Sequence, residues 1–380
     1  MNAATAAIDH PDIGEIVAVD TFPAHLPMAK ILATSTHRTA YGAVLFVRIR
    51  TRGGAEGWGE AGVDPTMSGE TLAGMRAAVE QHLKPRLMGL SVFDRVALSR
   101  RLRHQLYGNG GPKAAVDMAM LDAAGRILGV RAVDLLGGAA RGTVTVLRLV
   151  GGSTVLEQDV EEARGLAAEG FKAFKLKVGM APIEQEAATA GALRAALGPD
   201  ALIGADANMA WDVARAQRFA RLAAPYDLAF IEQPVAAGDV ARMAAVAAAS
   251  PVPLGADEAI HGVGDILALA EARAIGGVSL KTIKLGGPTP LIAAAVLCDA
   301  IGLCVNLAMV VESTLGSAAM AHAACAVPQA DWGVSLGSLL ITDDPVVERL
   351  QCRGGEIACP AGPGLGVTVD EAHLRRLAPP

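Results

Sequence analysis

The stretch FKAFKLKVG (171–179) decides the fold: an apolar run ends on two lysines, Lys175 and Lys177, spaced two apart and closed by a glycine. In an extended strand side chains alternate, so both lysines share one face, and a charged pair on one face of an apolar strand needs partners there. The partners recur at near-even steps. Asp206 in ALIGAD follows Lys177 by 29 residues, Glu232 in LAFIEQP follows by 26, Asp257 in VPLGADEAI by 25, and Lys281 in GVSLKTIKLGG by 24. Each marks the end of a short apolar run and precedes a longer alanine-rich stretch of helical period, the pattern of consecutive βα units. In a parallel (β/α)-barrel the C-terminal strand ends converge on one mouth, which brings three carboxylates and three lysines together around a single ligand.

Bulk properties bound the remaining choices. The 380 residues are 52% hydrophobic and 19% charged, a composition suited to a well-packed enzyme with room for a barrel and a smaller domain. The most apolar stretches, Ile292–Cys298 and Ile301–Val311, fall short of the ~20 residues that a membrane span needs. The N-terminal MNAATAAIDHPDIGE lacks the basic and apolar regions of a secretory signal, so a cytoplasmic location is expected. Five cysteines (298, 304, 325, 352, 359) without CxxC spacing suggest small buried hydrophobes rather than a disulfide framework or zinc site. A net charge of −6 without a long basic block argues against nucleic acid as a partner.

Outside the barrel, EIVAVDTF (15–22) and AVLFVRIRT (43–51) read as antiparallel strands. Helical period takes over in 70–89, 91–108 and 111–130, the last ending at a candidate C-cap, Gly129. Barrel-like alternation runs from Thr143 to about Ile341. The turn-rich tail after TDDPVVE is expected to pack back on the first domain.

Asp206, Glu232 and Asp257 are hard oxygen donors suited to Mg²⁺ or Mn²⁺. Mutual repulsion of Lys175 and Lys177, together with a metal, is expected to push a lysine pKa down toward that of a useful base. A dication holding a substrate carboxylate, with an amine on either side, is an arrangement for moving a proton at the adjacent carbon through a metal-stabilised enolate; Lys bases with Mg²⁺ in enolase-superfamily sites are a known instance.

An ordered set of motifs carries a resemblance across the whole chain: GWGEAG, PKAAVDMAMLDAAG, DLLGG, KLKVG, DANMAW, IEQP, ADEA, LKTIKLGG, VESTLGSAA and PGLGVTVDE. The chain resembles the enolase superfamily in its muconate-lactonizing-enzyme subgroup. The resemblance implies a (β/α)-barrel of the modified TIM type with an α+β capping domain formed by the N-terminal segment and the C-terminal tail. The corresponding divisions are 1–140 for the cap, 141–345 for a (β/α)7β-type barrel with the metal site, and 346–380 for the returning segment.

The resemblance also implies metal ligation by Asp206, Glu232 and Asp257. Lys177 becomes acid or base on one face with Lys175 its modulator, and Lys281 acts on the other face. Asn208, Glu258 and Glu312 match supporting positions. Two mobile cap loops, about Met28–Tyr41 and Gly62–Ser68, read the substrate, which makes His37 and Arg38 candidate contacts. A small carboxylate as substrate, no membrane or nucleic-acid partner, and a homo-oligomer complete the expectation.

The leading reaction is muconate-type cycloisomerisation. Alternatives are racemisation or epimerisation of N-acyl or cyclic amino acids, a hydroxyproline- or acylsuccinate-type dehydration, and, more remotely, a noncatalytic binding barrel. A His–Asp acid-sugar dehydratase is disfavoured because Lys281 stands where that subgroup has Asp, and His322 lies in a helical run. The segment WGVSLGSLL (332–340) lacks the Asp-x-Asp of dipeptide epimerases. Lys284 is read as a supporting charge or an anion contact at a helix start. The glycines of GGP (286–288) form a helix-opening turn with a further option of anion binding, and Trp58 and Trp211 are read as packing residues.

Overall fold

Alternation in the N-terminal third produces a three-stranded antiparallel sheet: β1 (Ile16–Ala33), β2 (Arg38–Thr51) and β3 (Glu56–Gly62), in that order. The computed structural model describes residues 12–33, 35 and 38–379. Residues 44–47 of β2 are all buried because both faces of the sheet are covered. Leu45, Val47 and Ile49 face the helices of 72–128, whereas Val44 and Phe46 join Phe22, Trp58 and the C-terminal residues Leu365, Val367 and Leu374. The tail thus returns to the cap, and His25 N donates to Leu377 O at 2.8 Å. The long cap helix Gly110–Leu128 ends at Gly129, in the left-handed conformation (φ 68°) expected of a C-cap.

After β4 (Thr143–Thr145) the chain builds seven parallel strands: β5 (Leu147–Gly151), β6 (Ala173–Lys177), β7 (Leu202–Asp206), β8 (Phe230–Glu232), β9 (Leu254–Ala256), β10 (Gly277–Leu280) and β11 (Cys304–Leu307). They lie in sequence order, each paired in parallel with its predecessor. Residues 332–335 close the ring: Ser335 N donates to Leu307 O (2.8 Å) on one side and Leu147 N to Val334 O (2.8 Å) on the other. β12 (Cys352–Arg353) and β13 (Glu356–Ala358) then pair antiparallel with each other, and β13 with β4.

Aromatic packing fills the barrel at the N-terminal end of its strands. The Phe230 and Trp332 rings stack with centroids 4.3 Å apart. Space for them exists because Gly204 and Gly277 have no side chains: a Cβ at Gly204 would come within 2.2 Å of Phe230, and one at Gly277 within 2.3 Å of Trp332.

Cap and barrel are joined by carboxylates that cap barrel helices. Buried Glu60 on β3 accepts from Ser313 N (2.8 Å), Ser313 Oγ (2.7 Å) and Gly316 N (2.7 Å) at the start of helix Thr314–Ala326. Asp117 of the long cap helix accepts from Thr289 N and Oγ1, both at 2.8 Å, at the start of helix Pro288–Ala300. Orphan N–H groups and the helix dipole make such ends attractive to anions. The anion option at GGP is therefore taken by the protein's own Asp117.

Candidate active site

β6 and β7 place their last residues side by side, with Lys177 in register with Asp206, and Asp206 in register with Glu232 on β8. Asp257 follows β9 by one residue and Lys281 follows β10 by one, so all five stand at the C-terminal rim. Lys175, two residues below Lys177, shares its face and sits 5.8 Å above the Phe230 ring centroid. The three acids and three lysines expected to converge do so.

Each acid is clasped by lysine. Lys177 Nζ donates to Asp206 Oδ2 (2.5 Å) and Asn208 Oδ1 (2.8 Å). Lys175 Nζ lies 2.5 Å from Glu232 Oε2 and donates to Asn306 Oδ1 at 3.1 Å. Asp257 receives two lysines, Lys281 on Oδ2 and Lys284 on Oδ1, both at 2.6 Å. With the side chains so disposed, no three acidic, histidine or cysteine residues among those described form a ready metal cage. The donor chemistry nonetheless fits a hard dication: three buried carboxylates sit at successive strand ends, and fully buried Glu232 has an Oε1 without a hydrogen-bond partner. Burial, with Asp206 and Asp257 nearby, pushes Glu232 up to about 7 despite Lys175.

The lowered lysine pKa expected from the sequence counted a bound metal; with the acids alone as neighbours, neither rim lysine is lowered. Burial favours a neutral Lys177, but the charge of Asp206 and its hydrogen bond outweigh that, and the pKa is raised. Lys281 is likewise raised: burial opposes the charge, and Asp257, Glu258 and Glu232 more than restore it. Opposite charges at contact distance outweigh the lysine–lysine part of that expectation. Lys284 is lowered, because burial exceeds the attraction of Asp257. Asp257, though buried, is held well below the carboxylate range by Lys281 and Lys284.

Asn208 adopts positive φ (41°), which Asn tolerates better than most side chains. It bridges the rim, accepting from Lys177 and donating to Glu258 Oε1 at 3.0 Å. Burial, with Asp257 and Asp206 close by, raises Glu258 to about 8. Glu312 accepts from Gly62 N at 3.1 Å, and burial lifts its carboxyl to about 7.

Several contributors escaped the sequence reading. Gln233, fully buried at φ 35°, accepts from Asp257 N (3.0 Å) and Ala259 N (3.1 Å) and so fixes the loop that carries Asp257. Asn306 on β11 receives Lys175 and Ser279 Oγ on one oxygen. An amide beside an acid in IEQP and a lone Asn in an apolar strand were the available signals. Lys284 proves to be a supporting charge: besides Asp257 Oδ1 it donates to the Asp257 and Ser279 carbonyls.

A cavity of about 400 Å³ opens above Lys177, Lys281, Asn208 and Glu258. The 63–67 loop walls it, with Met67 Sδ 3.3 Å from Lys281 Nζ, as does the β2 segment 39–43. Most of the expected Met28–Tyr41 loop is instead the end of the β1–β2 hairpin. Arg38 is exposed and does not line the cavity, while His37 lies outside the described residues. His322 is buried in helix Thr314–Ala326, away from this cavity. Trp58 and Trp211 are buried packing residues, as read.

Comparison with known proteins agrees with this architecture. Residues 13–137 match the mandelate racemase / muconate lactonizing enzyme N-terminal domain, and residues 158–373 match the enolase C-terminal domain-like family. Muconate cycloisomerase 1 of Pseudomonas putida is 33% identical over 372 residues, covering 96% of this chain and 97% of its own. The L-Ala-D/L-Glu epimerase of Bacillus subtilis is 28% identical, covering 93% and 96%. Among solved structures, muconate lactonizing enzyme from Pseudomonas fluorescens complexed with muconolactone superposes with a TM-score of 0.92 at 29% identity, over 97% of this chain and 100% of that one. N-succinyl Arg/Lys racemase from Bacillus cereus gives 0.91 at 26% identity, over 96% and 98%. The chain therefore belongs to the mandelate racemase / muconate lactonizing enzyme family of the enolase superfamily.

Proposed function

We propose that this isomerase is a divalent-metal-dependent cycloisomerase of the muconate type, with 141–345 as its catalytic barrel and 1–140 and 346–380 as its cap. The observation that carries the reading is the convergence of Lys177 and Lys281 beneath one cavity, each against a buried acid, in a chain alike end to end with muconate cycloisomerases. Asp206, Glu232 and Asp257 would hold the cation, Mg²⁺ or Mn²⁺. When bound, that cation supplies positive charge for a substrate carboxylate.

The protein's residues perform the proton work. Lys177 and Lys281 each hydrogen-bond a carboxylate as ammonium donors, which suits them to deliver a proton. In lactone formation one of them delivers a proton to the carbon beside the carboxylate, a step that needs an acid. Asn208 steadies Lys177, Gln233 and Lys284 steady Asp257, and the apolar wall of Val63, Met67, Met309, Val310 and Val311 excludes water.

A second reading, racemisation or epimerisation of an N-acyl amino acid, is favoured by the cavity's charge. Among the described residues lining it, Lys177 and Lys281 are the sole cations, so a distal substrate carboxylate finds no further positive charge there, only apolar groups, hydroxyls such as Thr39, Tyr41 and Thr66, and the acid Asp64. Proton NMR in D₂O with added Mg²⁺ separates the two. Deuterated lactone formed from cis,cis-muconate supports cycloisomerisation. Deuterium entering the α-position of N-acylamino acids, with muconate untouched, transfers the assignment.

A further inference from the structure

Behind the rim, one buried carboxylate gathers the turn that follows Lys177. Glu186, in the first turn of helix Ile183–Leu197, is only 6% exposed. Its Oε1 accepts three successive backbone N–H groups, from Gly179 (2.6 Å), Met180 (2.7 Å) and Ala181 (2.9 Å). Successive N–H groups converging on one oxygen make an anion-binding concavity, and a charged acceptor strengthens each bond. The turn borders the active site on one side: Val178 N donates to Asp206 O at 3.0 Å. Gly179 adopts φ 96°, and a Cβ there would come within 2.4 Å of Ala210 Cβ and 3.0 Å of Ala207 O, so the turn lies against the loop that carries Asn208. On the other side packing is looser. A cavity of about 20 Å³, room for about one water, is lined by Lys177, Val178, Met180, Ala181 and Glu186 among others. Side-chain packing therefore leaves the turn space to move, and the carboxylate closes that freedom.

We propose that Glu186 is a positioning residue for Lys177: by clasping 179–181 it fixes the end of β6 and so holds the Lys177 ammonium in place, a role that rests on the proton-transfer reading of Lys177. Glu186 does not line the 400 Å³ cavity and acts only through the backbone. Lys177 Nζ meets Asp206 Oδ2 and Asn208 Oδ1, two acceptors carried by the next strand and the loop after it. A long, flexible side chain reaches both at once only while its own Cα stays where the strand end puts it. Three hydrogen bonds to one fixed carboxylate hold the four residues after Lys177 against the Asn208 loop, and with them that Cα. The consequence is large because a displacement of about 1 Å costs on the order of 10²-fold in rate.

The test compares the natural full-length protein with Glu186→Ala and Glu186→Gln, all with Mg²⁺ added. Amide hydrogen exchange read by mass spectrometry finds 179–181 protected in the natural protein and in Glu186→Gln, whose amide oxygen still accepts, and rapidly exchanging in Glu186→Ala. A limiting dose of acetic anhydride at fixed pH labels Lys177 about fivefold more in Glu186→Ala, the equivalent of one net hydrogen bond lost from the ammonium, and leaves Lys281 unaltered. On the substrate that the natural protein turns over, Glu186→Ala loses about 10²-fold in kcat with KM changed by less than about threefold, and Glu186→Gln recovers most of the loss. Unprotected 179–181 amides in the natural protein overturn the proposal without any variant, and so independently of whether Glu186→Ala folds. A loosened turn with Lys177 labelling unchanged also overturns it, since Glu186 would then cap a helix and nothing more. If neither cis,cis-muconate nor N-acylamino acids are turned over, the functional reading falls, while exchange and labelling still decide whether Glu186 places Lys177.

Discussion

The same parallel strands end in opposite chemistry at the two poles of the barrel. At the N-terminal pole Phe230 and Trp332 stack over glycines; at the C-terminal pole Lys177, Asp206, Glu232, Asp257 and Lys281 are buried together. Lys175 stands at the boundary, its ammonium above the Phe230 ring and against Glu232. The contrast shows how the fold divides labour. Apolar filling at one pole secures the ring, which holds ionisable groups at the other in positions that water alone would not tolerate.

If that division holds, substitutions at the two poles have separable effects. The largest expected effect is Lys281→Ala, with turnover reduced by about 10²–10⁴-fold. The fold persists because Lys284 still faces Asp257, which circular dichroism melting checks alongside steady-state kinetics. Turnover within threefold of the natural protein would remove Lys281 from the chemistry. At the other pole, Trp332→Ala is expected to cost about 3–5 kcal/mol in urea unfolding, while kcat below the melting transition changes little. A matching collapse of kcat in the folded variant would show that the poles are not separable.

Glu312 gives the comparison a pH axis. Its carboxyl is raised from 4.5 to about 7 in the folded protein, so the folded state holds the proton more tightly than the unfolded one. Its contribution to stability is complete below pH ~4.5 and is lost as pH rises through ~7, on the order of 3 kcal/mol in all. Glu312→Gln should flatten that part of the stability–pH curve; an identical slope in both proteins would contradict the burial argument. The smallest effect is expected for Gly204→Ala, whose new methyl meets Phe230: about 1–3 kcal/mol of destabilisation from overpacking, with metal affinity by calorimetric titration unchanged.

Much of this was legible in the chain. Apolar runs ending on Lys177, Asp206, Glu232, Asp257 and Lys281 determined the parallel strands and the meeting of these residues, because strand period and βα spacing are local properties. Gly129 likewise announced its helix end. What the tertiary structure alone decided was pairing. It chose Asp257 rather than a free anion as the partner of Lys284, put Gln233 under the Asp257 loop, made residues 332–335 the closing edge of the barrel, and gave Glu60 and Asp117 to helix ends of the other domain. It also set Asp206 against Lys177, which by itself raises the lysine pKa. A pKa and a hydrogen-bond partner depend on distances between groups far apart in sequence and on the water excluded around them, neither of which a local period contains.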